Sequence, residues 1–538
     1  MFNRIRASAA PRKMLALLTA LTTALGPSVS PAFAASKATP KAATTTATPI
    51  QHLVVIFQEN ISFDHYFGTY PHATNPQGEP QFHGAADTPV VNGLTNALLT
   101  FNPNLNPANG TGASNPFRLD RSQAVTTDQD HDYTAEQQAF DSGLMDLFPT
   151  NTGSGSNEEM GYFDGNTVTG LWNYAQFYAM SDNSYGTTFG PSSPGVVNLV
   201  SGQTNGVTKT LNGTSDEVNG GSDGSLTLIG DADPIGDVCS SSTRDQAQMG
   251  GKNIGDLLNA AGVTWGGFMG GFNLSIINPN NTTGCNRSST GLAGTTNDYI
   301  PHHSLFGYYA STANPNHTRP ASIAEIGNNG PANHQYDIQD FFVAIAAGNF
   351  PAVSFLKAPA YEDGHAGYSD PLDEQTFLVN TLNFLEAEPT WPSTAVVIMY
   401  DDSDGWYDHQ MGPIINTSTG PADALTGPDA CGTAANSLPG LDPSNLHALG
   451  RCGYGPRLPL IVISPWARQD FVDSSVTDQT SIIHFIEDNW LGGQRIGQGS
   501  YDGIANSIAQ MFNFTRMRNN GYLYLNPSTG EREQDRHK

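Results

Sequence analysis

Positive charge is what this 538-residue chain has least of: 23 Lys and Arg stand against 50 Asp and Glu, a formal net charge of −27. Such a surface repels nucleic acid and anionic membranes at long range. Tight non-specific binding to either is excluded, though not an anionic substrate whose site brings its own cation. Long apolar runs are missing as well. No stretch reaches the roughly 18 apolar residues a membrane helix needs, so no integral membrane segment is expected. Cysteine is limited to Cys239, Cys285, Cys431 and Cys452 with no Cys-x-x-Cys pair, which argues against a thiolate zinc site. Charged residues make up only 14%, while Gly, Asn, Ser, Thr and Pro are abundant. Aromatic and apolar content still suffices for a core, so the composition reads as long ordered loops rather than disorder.

The amino terminus reads as a secretory signal peptide over residues 1–34. Arg4, Arg6, Arg12 and Lys13 precede an apolar core, Met14 to Leu25, and the small-residue site Ala32-Phe33-Ala34. No Arg-Arg pair supports a twin-arginine route. Cleavage near Ala34 would leave a secreted or periplasmic protein of net charge about −31. An even number of cysteines in an exported chain favours disulfides. Three pairings are possible; Cys239–Cys285 and Cys431–Cys452 close the shortest loops. Residues 35–48 read as a flexible leader and 49–538 as a single catalytic domain with loop insertions near 70–125 and 205–240.

The chain is organised around Gln51 to Gly68, where an apolar run, Leu53 to Phe57, stops at two oxygen donors, Glu59 and Asn60. A strand covered on both faces, with a site beyond its carboxyl end, fits this pattern. Taken alone, Glu59 and Asn60 are equally at home in a turn or cap. The motif is repeated: Ala395 to Tyr400 is a second apolar strand that ends in Asp401-Asp402. Adjacent like charges are costly unless a cation lies between them, which points to a divalent metal.

Between these strands, His131 precedes a short helix through Phe140 capped by Thr134, Trp172 to Tyr185 reads as an aromatic helix, and Gly190-Pro-Ser-Ser-Pro194 as a stiff turn at a helix start. Ser192 and Ser193 could be simple caps, yet a helix start also offers free N–H groups to an anion. Asn205 to Asp237 reads as a small hairpin, and Asn253 to Gly262 and Val263 to Phe268 as a helix-to-strand unit. Pro351 to Lys357 is a strand leading into His365 and a helix capped by Asp370. Leu460 to Ser464 and Thr480 to Trp490 complete an alternating α/β pattern.

Glu59, Asn60, Asp401 and Asp402 offer only oxygen, the preference of Mg²⁺, Ca²⁺ or Mn²⁺. With a serine hydroxyl beside the metal and histidines to hold phosphoryl oxygens or protonate a departing alcohol, the set describes phosphate-ester hydrolysis through a phosphoserine.

Gln58-Glu-Asn-Ile-Ser-Phe-Asp-His-Tyr-Phe-Gly68, Gly190-Pro-Ser-Ser-Pro194, Tyr400-Asp-Asp-Ser-Asp-Gly-Trp-Tyr-Asp-His409 and Phe485-Ile-Glu-Asp-Asn-Trp490 resemble the bacterial phosphoesterase family of non-haemolytic phospholipases C and respiratory-burst-inhibiting acid phosphatases, over roughly Pro49 to Phe514. The resemblance implies an alkaline-phosphatase-like fold: a three-layer α/β sandwich around a mostly parallel mixed sheet, with long loop insertions. It implies Glu59, Asn60, Ser192, Asp401 and Asp402 as ligands of one divalent metal, Ser192 as nucleophile, and His131, His303 and His365 at the phosphate. Phospholipase members tend to carry Thr at the nucleophile, Asn-Arg after the proline, Arg after Glu-Asn and Asp-Glu at the second acidic pair. Here Ser192, Gly195, Ile61 and Asp402 stand instead, and Ser474 and Gln479 replace histidines. These departures point to an acid phosphatase acting on small phosphate monoesters rather than a phospholipase C acting on phospholipid headgroups. A sulfatase would need an arginine after Ser192-x-Pro194. The reading from another class is a non-catalytic, Ca²⁺-braced surface or adhesion protein.

Overall fold

The computed structural model describes residues 45–221, 223–425, 430–432, 437–519 and 521–533. The expected signal peptide and all but the last four residues of the expected leader lie outside the described residues. Those last four are tied down: the Thr48 hydroxyl donates to Asn489 Oδ1 at 2.8 Å.

Eight strands, β1 (His52–Gln58), β2 (Ala179–Ser181), β3 (Trp265–Met269), β4 (Gln335–Asp337), β5 (Val353–Lys357), β6 (Thr394–Tyr400), β7 (Leu460–Ile463) and β8 (Phe471–Asp473), form one sheet in the order β4-β3-β5-β1-β6-β7-β2-β8. Only β7 runs against the rest, antiparallel to both β6 and β2. Seven strands therefore deliver their carboxyl ends to the same edge, where sites of α/β sheets form. The opening strand is central. β1 pairs in parallel with β5 and with β6, and Gln58 sits opposite Tyr400, so the two acidic strand ends emerge side by side. Leu53 to Phe57 are fully buried, as expected of a central parallel strand covered on both faces.

The helices that bear on the site are α1 (Phe63–Phe67), α2 (Tyr133–Phe140), α3 (Thr169–Phe177), α4 (Ser192–Ser201), α5 (Ile254–Ala261), α6 (Pro371–Ala387) and α7 (Thr480–Trp490). α4 packs on α5 and α7, and α3 on α6. The fold is thus the expected α/β class with a mostly parallel mixed sheet. α5 ends at Gly262 in the left-handed region, and Asp370 caps α6 by accepting from the Leu372 and Asp373 amides, both as the sequence predicts.

Some local readings are corrected. Trp172 to Tyr185 is not one helix: α3 stops at Phe177, and the next residues become β2, because pairing with β7 and β8 satisfies their backbone groups instead. Asp132, not Thr134, precedes α2; the Thr134 hydroxyl donates to Ala422 O. The expected small hairpin is part of a separate five-stranded sheet built from Asn205–Leu211, Glu217–Asn219, Leu226–Leu228, Asp233–Pro234 and Gln246–Met249. The expected loop insertion near 70–125 includes a short helix, Asn96–Thr100. The cysteines form Cys239–Cys285 and Cys431–Cys452. No helix among the described residues is long and apolar enough to cross a membrane.

Candidate active site

Backbone hydrogen bonds clamp the strand ends together. Asp401 N donates to Gln58 O (3.2 Å), Ile61 N to Asp402 O (2.9 Å) and Glu59 N to Asp363 O (3.0 Å). Asn60 adopts φ +53°, a left-handed conformation Asn tolerates well, and this turns its amide onto Asp401 Oδ1 at 3.1 Å. The Asp402 amide donates to the same oxygen (2.9 Å).

Ser192 reaches this edge from α4. Pro191 occupies the cap position and Ser192 the first helical turn; its side chain caps nothing. Instead the hydroxyl donates to Glu59 Oε2 at 3.0 Å and lies 3.4 Å from Asp402 Oδ2. That approach depends on Gly195. A Cβ there would lie 2.5 Å from the Asp401 carbonyl oxygen, so only glycine lets α4 close on the end of β6. The helix start offers less to an anion than its position suggests: the Ser193 amide donates to Asp231 Oδ1 (2.9 Å), Pro194 has none, and the Gly195 amide turns to Pro191 O.

All three expected histidines converge. His303 Nδ1 lies 3.2 Å from Glu59 Oε1, and His131 Nε2 lies 3.3 Å from the Asn60 side-chain nitrogen Nδ2. The rings of His131 and His365 are 6.0 Å apart. Their charges differ. Burial works against a charge on His131, but Asp402 and Asp404 outweigh it and raise its pKa well above the ordinary value. Burial, reinforced by His302 and Lys357, pushes His303 well below it. Burial also pulls His365 down to about 4. Burial, with Asp401 beside it, pushes Glu59 up.

The donor set fits a cation. The Asn60 carboxamide oxygen faces only acceptors, 2.5 Å from Glu59 Oε2 and 3.2 Å from Asp401 Oδ1. Either the amide turns over, donating to both carboxylates while its oxygen takes hydrogen bonds from His131 and His365, or this oxygen-only cluster surrounds a hard divalent ion. Two groups of carboxylate and imidazole atoms here are also close enough to hold a metal: Glu59, His303 and Asp363, and Asp128, His131, His365 and Asp404.

Three supporting residues stand outside the site set expected from the sequence. Lys357, at the end of β5, places its buried ammonium against Glu59 Oε1 and 3.3 Å from Asp401 Oδ2. Like Glu59 it is the charge that ends an apolar strand, and that signal could have found it. Glu136 on α2 accepts from Ser403 Oγ (2.7 Å) and the Gly190 amide (3.1 Å), joining the acidic loop to the turn before Ser192. Gln479, standing where a histidine was expected, donates to Asp401 O at 2.6 Å.

Comparison with known proteins places residues 50–491 on the sequence model of the Phosphoesterase family. Non-hemolytic phospholipase C of Pseudomonas aeruginosa is 26% identical over 496 residues, covering 90% of this chain and 60% of that protein. Its Burkholderia pseudomallei counterpart is 25% identical over 459 residues, 82% and 55% of the two chains. Phospholipase C A of Mycobacterium tuberculosis is 24% identical over 481 residues, 87% and 78%. The chain thus spans little more than half of the first two relatives' length. Among solved structures, a protein in the alkaline phosphatase superfamily from Vibrio parahaemolyticus aligns over 85% of this chain and 71% of its own, at 10% identity and a TM-score of 0.29.

Proposed function

Because the chain belongs to the Phosphoesterase family and is therefore a hydrolase of ester bonds, we propose that it is an exported, metal-dependent acid phosphatase that cleaves phosphomonoesters through a phosphoserine on Ser192. The observation that carries this reading is the Ser192 hydroxyl, donating to Glu59 at the point where two acidic strand ends meet.

Glu59, Asn60, Asp401 and Asp402 would hold one divalent ion, Mg²⁺, Ca²⁺ or Mn²⁺, with Ser192 beside it. Bound there, the ion would supply the Lewis acidity that lowers the hydroxyl's pKa. Ser192 Oγ attacks phosphorus, its proton passing to the Glu59 carboxylate. The Oγ–P bond forms as the ester P–O bond breaks. A cationic His131 gives its proton to the departing alkoxide, and the imidazole so released then takes a proton from the water whose oxygen bonds to phosphorus as the P–Oγ bond breaks, while Glu59 returns its proton to Ser192 Oγ. His303 and His365, with the Asn60 amide, orient the phosphoryl oxygens. Lys357 is committed to Glu59 and Asp401, so these oxygens are met chiefly by histidines, of which His131 is held cationic while burial keeps His303 and His365 neutral.

The relatives' names favour a second reading, phospholipase C action on a phosphatidylcholine-type diester at the same site. Rates on nitrophenyl phosphate and nitrophenyl phosphorylcholine separate the two. Hydrolysis of the monoester is expected; cleavage of the diester alone overturns the phosphatase reading, and no turnover of either leaves the non-catalytic one.

A further inference from the structure

Six of the described arginines, Arg118, Arg244, Arg287, Arg319, Arg457 and Arg495, each lie within salt-bridge distance of a carboxylate. In a chain where acids outnumber bases two to one, this is the expected fate of a guanidinium. Arg121, Arg451 and Arg532 close no ion pair but spend their N–H groups on backbone or side-chain amide oxygens; Arg468, Arg516 and Arg518 are the remaining three. Among the described residues none of the three closes an ion pair, yet they converge on one cavity of about 550 Å³ with Phe177, Ala467, Gln469, Asn513, Met517 and Asn519. No acidic residue is among the described residues that line it.

Two of the guanidiniums are held in place. Arg518 stacks over Phe177 (4.2 Å to the ring centre) and donates to Phe177 O at 2.6 Å. Arg468 stacks over Phe471 at 4.6 Å. Stacking fixes the plane while leaving edge N–H groups free, the arrangement that suits bidentate contact with phosphate. Glu386 acts on Arg518 electrostatically without pairing with it, and the adjoining cavity, with Asp87 and Asp470, has its own cation, Arg532.

The place is remote from the catalytic edge. Ala467 and Arg468 follow β7, the strand that runs against the others, and the Ser464 hydroxyl bonds to Thr394 O at the start of β6. A strand of seven residues spans about 20 Å, so the cavity lies at the end of β6 opposite Asp401.

We propose that the Arg468–Arg516–Arg518 cavity is a second, non-catalytic site for a phosphate group, either a free phosphate compound or the phosphate of an anionic lipid headgroup. Calorimetric titration with inorganic phosphate, and co-sedimentation with phosphatidylcholine vesicles with and without phosphatidic acid, are compared for wild type and for R468A/R516A, both positions being exposed. The single variant R516A serves if the pair impairs folding, which circular dichroism reports. A phosphate-binding event weakened about tenfold or more in the variant, without vesicle binding, supports the site with a free phosphate compound as its ligand. Phosphatidic-acid-dependent sedimentation lost in the variant supports the lipid source. Phosphate and vesicle binding unchanged by the substitutions, or no binding beyond one event abolished by S192A, overturns the proposal.

Discussion

Lys357 and Asp401 face one another beneath the end of β1, Nζ 3.3 Å from Oδ2, and the same ammonium touches Glu59. The site thus carries a fixed cation between two of its proposed metal ligands. Acting against burial, Lys357 holds Asp401 below the usual carboxylate range, and the two carboxylates hold Lys357 charged.

Lys357→Met removes that charge and leaves two buried carboxylates facing each other. The expected cost is about 3–5 kcal/mol. Melting with a chelator should show a marked drop in Tm, partly recovered by millimolar Mg²⁺, Ca²⁺ or Mn²⁺. An unchanged Tm in chelator would mean that the ammonium does not balance these acids.

Ser192→Ala should lower kcat on a phosphomonoester by at least about 10³-fold, since the covalent route is lost. Tm should change little, because the hydroxyl caps no helix end. Acid quench with a labelled phosphomonoester should trap phosphate on wild type and none on the variant. A variant that retains activity removes Ser192 as the nucleophile.

Stability should fall as pH rises from mildly acid to alkaline. Burial raises Glu386 to about 7, Glu159 to about 8 and Glu487 to about 9. Unfolded, each ionises near 4.5. Below that value both states are protonated and the full stability is present. Above it the unfolded chain sheds its protons while the fold keeps them, so stability is lost progressively through pH 7 to 9, by up to about 1.4 kcal/mol per pH unit per group. Tm measured from pH 5 to 9 should decline, and Glu159→Gln, replacing a buried carboxyl with a neutral amide, should flatten the decline.

Reduction should destabilise the fold through both disulfides. Separations of 46 and 21 residues correspond to about 4 and about 3 kcal/mol of lost loop constraint for Cys239–Cys285 and Cys431–Cys452. Single Cys→Ala pairs, followed by denaturant unfolding, apportion the effect; equal midpoints for all forms would contradict it.

The amino-acid sequence by itself determined the elements that depend on short range: an apolar run ending in Glu59-Asn60, another ending in Asp401-Asp402, the Asp370 cap, the Gly262 stop. Periodicity and capping act within a few residues, so they are legible there. It also offered eight candidate site positions: Glu59, Asn60, Ser192, Asp401 and Asp402 lie in contiguous motifs, and His131, His303 and His365 follow from the resemblance those motifs carry. Tertiary structure decided what lies next to what. That β1 runs between β5 and β6 is a matter of strand order, and strand order alone brings Lys357 against Glu59 from almost 300 residues away. It also ended α3 at Phe177, where strand pairing outweighed an aromatic pattern, and gave the Ser193 amide to Asp231. Contacts of this kind arise from register and close packing across the sheet, to which no local pattern of residues corresponds.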